Sequence, residues 1–182
     1  MKLQAVFLDR DGTIGGSDQV EYPGEMVLYP YTLNAIKVLK DSGIAVYSFT
    51  NQPGIANGVV QDKDFEAELT TFGFDGNYIC PHKHDKGCKC RKPSAGMLIQ
   101  ASVEKNLDLR RCAVIGDRWT DLMAANEVGA IKIIVKTGAG EAAISKYIKN
   151  EYHGSWATVT PDYIAEDLSA AVNWLLNLRG EI

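Results

Sequence analysis

No apolar run in this 182-residue chain approaches the ~20 residues that a membrane-spanning helix needs, so no membrane partner is expected. A basic excess is lacking too. The chain has 19 Lys and Arg against 23 Asp and Glu, a formal net charge of −4. Nucleic-acid backbones demand clustered cations, so no nucleic-acid partner is expected. The start, Met1 to Asp9, has too short an apolar part for a signal peptide and runs at once into charge, which implies a cytoplasmic location. Cysteine is scarce, with four in all. In a reducing compartment four thiols are more often metal ligands or buried side chains than disulfides. Internal repeats and linker-like stretches are also missing. A single domain over 1–182, working as a monomer, is therefore the expectation. A hydrophobic fraction of 46% and a charged fraction of 23% are ordinary for a globular chain with one full core.

Short apolar runs alternate with helical patterns. Leu3–Leu8, Ile44–Phe49, a short stretch at Tyr78-Ile79, Cys112–Ile115 and Ile131–Val135 read as five strands. Pro30 opens a helix with apolar Leu33, Ile36, Val38 and Leu39, and Gly43 closes it. Asp62 caps a second helix, with Phe65 and Leu69 four apart, and Ser94 a third, with Met97, Leu98, Ala101 and Val103 as its apolar side. A fourth carries Leu122, Ala125 and Val128 and stops at Gly129. Helices near Ala139–Lys149 and Ile164–Leu178 finish the chain. Continuous apolar strands belong to sheets covered on both faces. The pattern predicts an α/β fold, a Rossmann-like parallel sheet with helices on both faces. Ligands of such sheets bind beyond the carboxyl ends of the strands.

The polar groups at those ends are Asp9/Asp11, Thr50/Asn51 and Asp117/Asp121. Residues two apart in extended chain point to one side, so Asp9 and Asp11 can face a common site. Adjacent carboxylates repel unless a cation or proton intervenes, and Mg²⁺ prefers carboxylate oxygens, water and phosphate. One carboxylate can also attack phosphorus. Thr50 offers a hydroxyl, Asn51 an amide, and Lys92 a cation suited to a phosphoryl oxygen. Simpler readings compete: turn chemistry for the acidic pair, helix-terminus stabilisation for Asp121, a solvated charge for Lys92 and a plain strand-end residue for Thr50. Four such elements in order are more specific than any one.

Together these residues resemble the haloacid-dehalogenase-like phosphatase superfamily, over Asp9 to Gly138. The resemblance implies that Asp9 is nucleophile and Mg²⁺ ligand. Asp11 is then general acid/base, with its backbone carbonyl on the metal. Thr50 and Lys92 hold phosphoryl oxygens, Asp117 is the third Mg²⁺ ligand, and Asp121 is supporting. The substrate is a small-molecule phosphate ester.

Between Cys80 and Cys90 stand three cysteines and two histidines. Cys80, His82, Cys88 and Cys90 suit a Cys₃His tetrahedral site for structural Zn²⁺, with no open position. His84 is the alternative nitrogen ligand, or a surface residue near the site, and Cys112 is read as a buried thiol. A disulfide or free thiols are the competing readings. Arg91 and Lys92 follow at once, so a zinc-stabilised loop would hold two cations over the phosphate site. Such a loop before Arg-Lys-Pro resembles two subgroups, the D-glycero-D-manno-heptose 1,7-bisphosphate 7-phosphatases and the histidinol-phosphate phosphatases. Lys92–Leu98 and Val135–Gly138 look like the heptose group. Asn57 departs from it, standing where that group commonly has a basic residue, and so does the loop Ile14–Val20. Arg91 and Arg118 are candidate cations for a second phosphate, with a helix-surface charge as the other reading of Arg118.

No gap between motifs is long enough for a large cap domain, so the zinc loop and Gly15–Glu25 are expected to shield the site. Two other classes remain: a receiver-like signalling domain, which would accumulate phosphoaspartate, and a zinc-stabilised binding module without turnover. Removing Mg²⁺ with a chelator is expected to stop phosphate release, and adding it back to restore it. Turnover indifferent to magnesium would strip Asp117 of its expected role.

Overall fold

The computed structural model describes residues 2–178, so the ends of the 1–182 single-domain reading lie outside the described residues. Six parallel strands form one sheet in the order β3-β2-β1-β4-β5-β6. They are β1 Ala5–Leu8, β2 Ala45–Asn51, β3 Gly76–Cys80, β4 Cys112–Gly116, β5 Ile131–Val135 and β6 Tyr163–Ala165. The helices are α1 Thr32–Asp41, α2 Asp62–Thr71, α3 Gly96–Lys105, α4 Trp119–Glu127, α5 Gly140–Ile148 and α6 Leu168–Asn177. None is long and apolar enough to cross a membrane.

The strands alternate their side chains between two apolar layers. Val6 and Leu8 of β1 pack with Ile36 and Leu39 of α1 and with Ala171 and Leu175 of α6. Ala5 and Phe7 pack on the other face with Met97 and Leu98 of α3 and Ala125 of α4. A third cluster joins Trp119 and Leu122 to Ile134 and to Ala143 and Ile144 of α5. Burial on both faces explains why the central strands β1 and β4 read as apolar runs. The chain leaves β1 for β2 on one side and returns to β4 on the other. The carboxyl ends of β1 and β4 therefore flank the switch point, where open parallel sheets place their ligands.

Several local expectations are corrected. The segment Ile164–Leu178 is not one helix. Tyr163–Ala165 is an edge strand, and α6 starts only after Asp167, whose carboxylate accepts from the Ala170 amide at 2.8 Å. Three strand residues are too few to show a period of two beside the apolar stretch that follows. Leu33 and Val103 lie outside the core. On α1 the buried face is Thr32, Ala35, Ile36 and Leu39. Neither Ser94 nor Asp62 is a cap: α3 starts after Ala95, and Gln61 precedes α2. Ile36→Ala should cost about 2–5 kcal/mol in urea unfolding, and Leu33→Ala less than about 0.5 kcal/mol. Equal costs would refute this assignment of the buried face.

Candidate active site

Beyond the switch point the chain buries charge. Among the described residues, the buried charged side chains are Asp9, Asp11, Asp117 and Asp121 with Arg10 and Lys92. Four acids against two bases leave a deficit that one divalent cation balances.

Lys92 comes from the loop between β3 and α3. Its ammonium lies 2.9 Å from Asp9 Oδ1 and 2.6 Å from Asp121 Oδ1, and it donates to the Phe49 carbonyl at 2.8 Å. Burial works against its charge, but Asp121 and Asp9 outweigh it and hold the Lys92 pKa above the ordinary value. Asn51, at the end of β2, grips the backbone of the same residue. Its Oδ1 accepts from the Lys92 amide at 3.1 Å, and its Nδ2 donates to the Lys92 carbonyl at 3.3 Å. The Asn51 amide is thus engaged in placing Lys92.

Asp117 follows β4. One of its oxygens accepts from the Ala139 amide at 2.7 Å, and the other is buried without a hydrogen-bond partner among the described residues. Burial, then the charges of Asp9 and Asp121, push its pKa up to about 8. Asp121 serves twice: Oδ2 accepts from the Arg118 amide at 2.9 Å at the start of α4, while Oδ1 meets Lys92. Asp121 thus caps α4 and contacts Lys92 at once. Gly12 is required by this packing, because a Cβ there would come within 2.3 Å of Asp117 Oδ2.

Asp9, Asp117 and Asp121 bring carboxylate oxygens within 4.8 Å of one another, as a metal site needs. The orphaned Asp117 oxygen, the surplus negative charge and the all-oxygen donors fit Mg²⁺. The Asp11 carboxylate is turned aside. It accepts from Arg10 Nη1 at 2.8 Å, from the Glu21 amide at 2.9 Å and from Gln52 Nε2 at 2.7 Å. Burial raises its pKa, with Arg10 and the Glu21 amide opposing.

Two partners of Asp11 escaped the sequence reading. Gln52 also donates to the Thr50 hydroxyl at 2.9 Å, tying the two together. Arg10 is fully buried, lies over the Phe65 ring at 5.0 Å, and meets Glu68 of α2 at 2.6 Å. The other Glu68 oxygen accepts from the Gly24 amide at 2.9 Å, so Arg10 and Glu68 fasten the loop before α1. Gln52 directly follows Thr50-Asn51, which was the signal available in the sequence. Arg10 carried none beyond its place between two aspartates.

The Cys/His segment also closes up. Cys80 Sγ lies 3.6 Å from His82 Nδ1, 3.7 Å from Cys88 Sγ and 3.3 Å from Cys90 Sγ, and His82 Nδ1 lies 3.1 Å from Cys90 Sγ. Ligands at Zn–S and Zn–N distances sit about 3.3–3.8 Å apart around a tetrahedral ion, so the group fits zinc. His84 is outside the cluster and rims the cleft, while Cys112 is buried in β4. Arg91 donates to the His82 carbonyl at 3.2 Å, and Arg118 to the Asp18 carbonyl. Both arginines line a cleft of about 520 Å³ that also contains Asp9, Asp11, Thr50, Asn51 and Lys92.

Known proteins resemble this arrangement. The family model described as HAD-hydrolase-like matches residues 89–171. D-glycero-beta-D-manno-heptose-1,7-bisphosphate 7-phosphatase of Haemophilus ducreyi is 36% identical over 157 residues, covering 76% of this chain and 86% of the relative. D-glycero-D-manno-heptose-1,7-bisphosphate 7-phosphatase of Thermosynechococcus vestitus is 33% identical, covering 96% of each chain. Among solved structures, the D,D-heptose 1,7-bisphosphate phosphatase of B. bronchiseptica, complexed with magnesium and phosphate, superposes with a TM-score of 0.79. It is 32% identical and covers 98% of this chain and 99% of its own.

The purified protein is expected to carry about one zinc ion per chain, the ratio of a four-ligand structural site. Cys88→Ser should lower that content and the melting temperature together. Metal analysis finding no zinc in the unaltered protein would remove the site.

Proposed function

The chain belongs to the haloacid-dehalogenase-like phosphatases, and we propose that it hydrolyses D-glycero-D-manno-heptose 1,7-bisphosphate at the 7-phosphate, with Asp9 as nucleophile. The observation that carries this reading is the buried pairing of Asp9 with Lys92 beside Asp117, with Asp11 two residues on. The heptose substrate is supported by relatives that match 75–96% of this chain.

Asp9 attacks phosphorus in line as the bond to the leaving oxygen breaks, giving an aspartyl-phosphate. Lys92 and the Thr50 hydroxyl hold equatorial oxygens, and Arg91 and Arg118 meet the charge of a second phosphate. Mg²⁺, held by Asp9, Asp117 and the main-chain carbonyl of Asp11, would neutralise the phosphoryl oxygens against the carboxylates. Once its carboxyl turns from Arg10 and Gln52 toward the substrate, Asp11 protonates the departing sugar oxygen, then takes a proton from the water that attacks the aspartyl-phosphate. A raised pKa suits it to the acid step. Asn51 and Asp121 position Lys92.

Residues 1–182 act as one catalytic domain, a monomer in the cytoplasm, on a soluble small ester. The net charge of −4 weighs against a nucleic-acid partner. The loop before α1 and the zinc loop shield the cleft in place of a cap.

Asp9→Asn is expected to reduce phosphate release from the heptose bisphosphate by at least about 10³-fold, the scale on which loss of a nucleophile acts. Its circular dichroism spectrum should be unchanged. Substantial turnover by a folded Asp9→Asn protein would sink the assignment.

A further inference from the structure

We propose that the cleft contains a ring-stacking subsite for the leaving group, an aromatic shelf made by Trp119, Tyr152 and Trp156. The inference deepens the phosphatase reading of Asp9 and rests on it.

The shelf is built by the crossover between β5 and β6, through α5 and the 3₁₀ turn Gly154–Thr158. Trp119 opens α4, two residues after Asp117. Its indole N–H donates to the Trp156 carbonyl at 2.9 Å, which pins the turn to the head of α4. Tyr152 stacks on Trp119, with ring centroids 4.4 Å apart and planes at 20°, and Trp156 follows 5.9 Å from Tyr152. The Tyr152 hydroxyl donates to the Ala143 carbonyl at 3.3 Å. The polar handles of Trp119 and Tyr152 are thus spent within the protein; Trp119, 3% exposed beside Tyr147 and Tyr152, backs the shelf, and its open ring surface comes from Trp156.

Packing alone accounts for Trp119, which is buried in the third apolar cluster, with Tyr152 against it. It does not account for Trp156, which belongs to none of the three clusters and is 37% exposed. All three rings line the cleft that holds Asp9. An exposed indole there, on backbone pinned by Trp119, gains its burial when a ligand covers it.

The ligand chemistry follows from the two sides of the cleft. Arg91, Lys92 and Arg118 supply cations for phosphate oxygens, while the shelf supplies flat apolar surface. A pyranose presents a face of C–H groups that packs on aromatic rings, with its hydroxyls left to water and polar side chains. An acyclic polyol has no such rigid face. The subsite therefore takes the cyclic form of a sugar phosphate.

Steady-state kinetics of Trp156→Ala and Trp156→Phe test this, with heptose 1,7-bisphosphate as the ring ester and glycerol 1-phosphate as the ringless one. Trp156→Ala should raise KM for the heptose ester about 3- to 10-fold and leave kcat within about twofold. It should leave kcat/KM for glycerol phosphate unchanged. Trp156→Phe should restore most of the loss. Turnover of both esters, with Trp156→Ala unaltered on the heptose ester or equally impaired on both, overturns the subsite alone. No turnover of either ester by the unaltered protein removes the phosphatase reading and the subsite with it.

Discussion

The ammonium of Lys92, held between Asp9 and Asp121, is the contact on which the rest of the site depends. Bringing carboxylates from β1 and β4 to one point beyond the sheet places like charges in a medium that screens them poorly. Lys92 offsets part of that repulsion; burial, together with the repulsion that remains, pushes the Asp117 pKa up to about 8. A site with surplus buried negative charge and an unpartnered carboxylate oxygen is primed for a divalent cation. With the cation in place, it can accept a phosphoryl group that would otherwise be repelled.

Holding a lysine there takes effort from elsewhere in the chain. Lys92 lies on a loop rather than on a strand or helix. Its backbone is gripped by Asn51 from the end of β2, and the Cys/His cluster closes the loop just before it. On the other side, Arg10 and Glu68 fasten the loop that carries Asp11 and Glu21. The sheet provides the positions, and these two clasps limit the freedom of the loops between them. Precise placement of charge is what phosphoryl transfer asks of a protein.

Much of this was legible in the sequence because buried parallel strands announce themselves. Ile131–Val135, apolar except for Lys132, is β5 residue for residue. Asp9, Thr50 and Asp117 were found because the polar residue that ends such a run marks the ligand edge. Edge strand β6 was hidden because three residues carry no period. Leu33 and Val103 were misplaced because an apolar residue at the margin of a helical face looks, in one dimension, like part of it. Arg10 and Gln52 were missed as partners of Asp11 for a different reason. Gln52 meets Asp11 across 41 positions, and the part Arg10 plays beside Asp11 shows only once the folded chain brings Glu68, 58 positions away, to it. The shelf was invisible on the same grounds, since Trp119 and Trp156 meet through a hydrogen bond across 37 positions.

The proposed mechanism requires that Asp9 becomes covalently phosphorylated during turnover. Rapid acid quenching of a reaction on phosphoryl-labelled substrate, followed by peptide mapping, reads this out. Label is expected on the peptide containing Asp9, appearing before steady state and released by hydroxylamine as an acyl phosphate. Label on another side chain, such as a histidine, or no protein-bound label during active turnover, would contradict the mechanism.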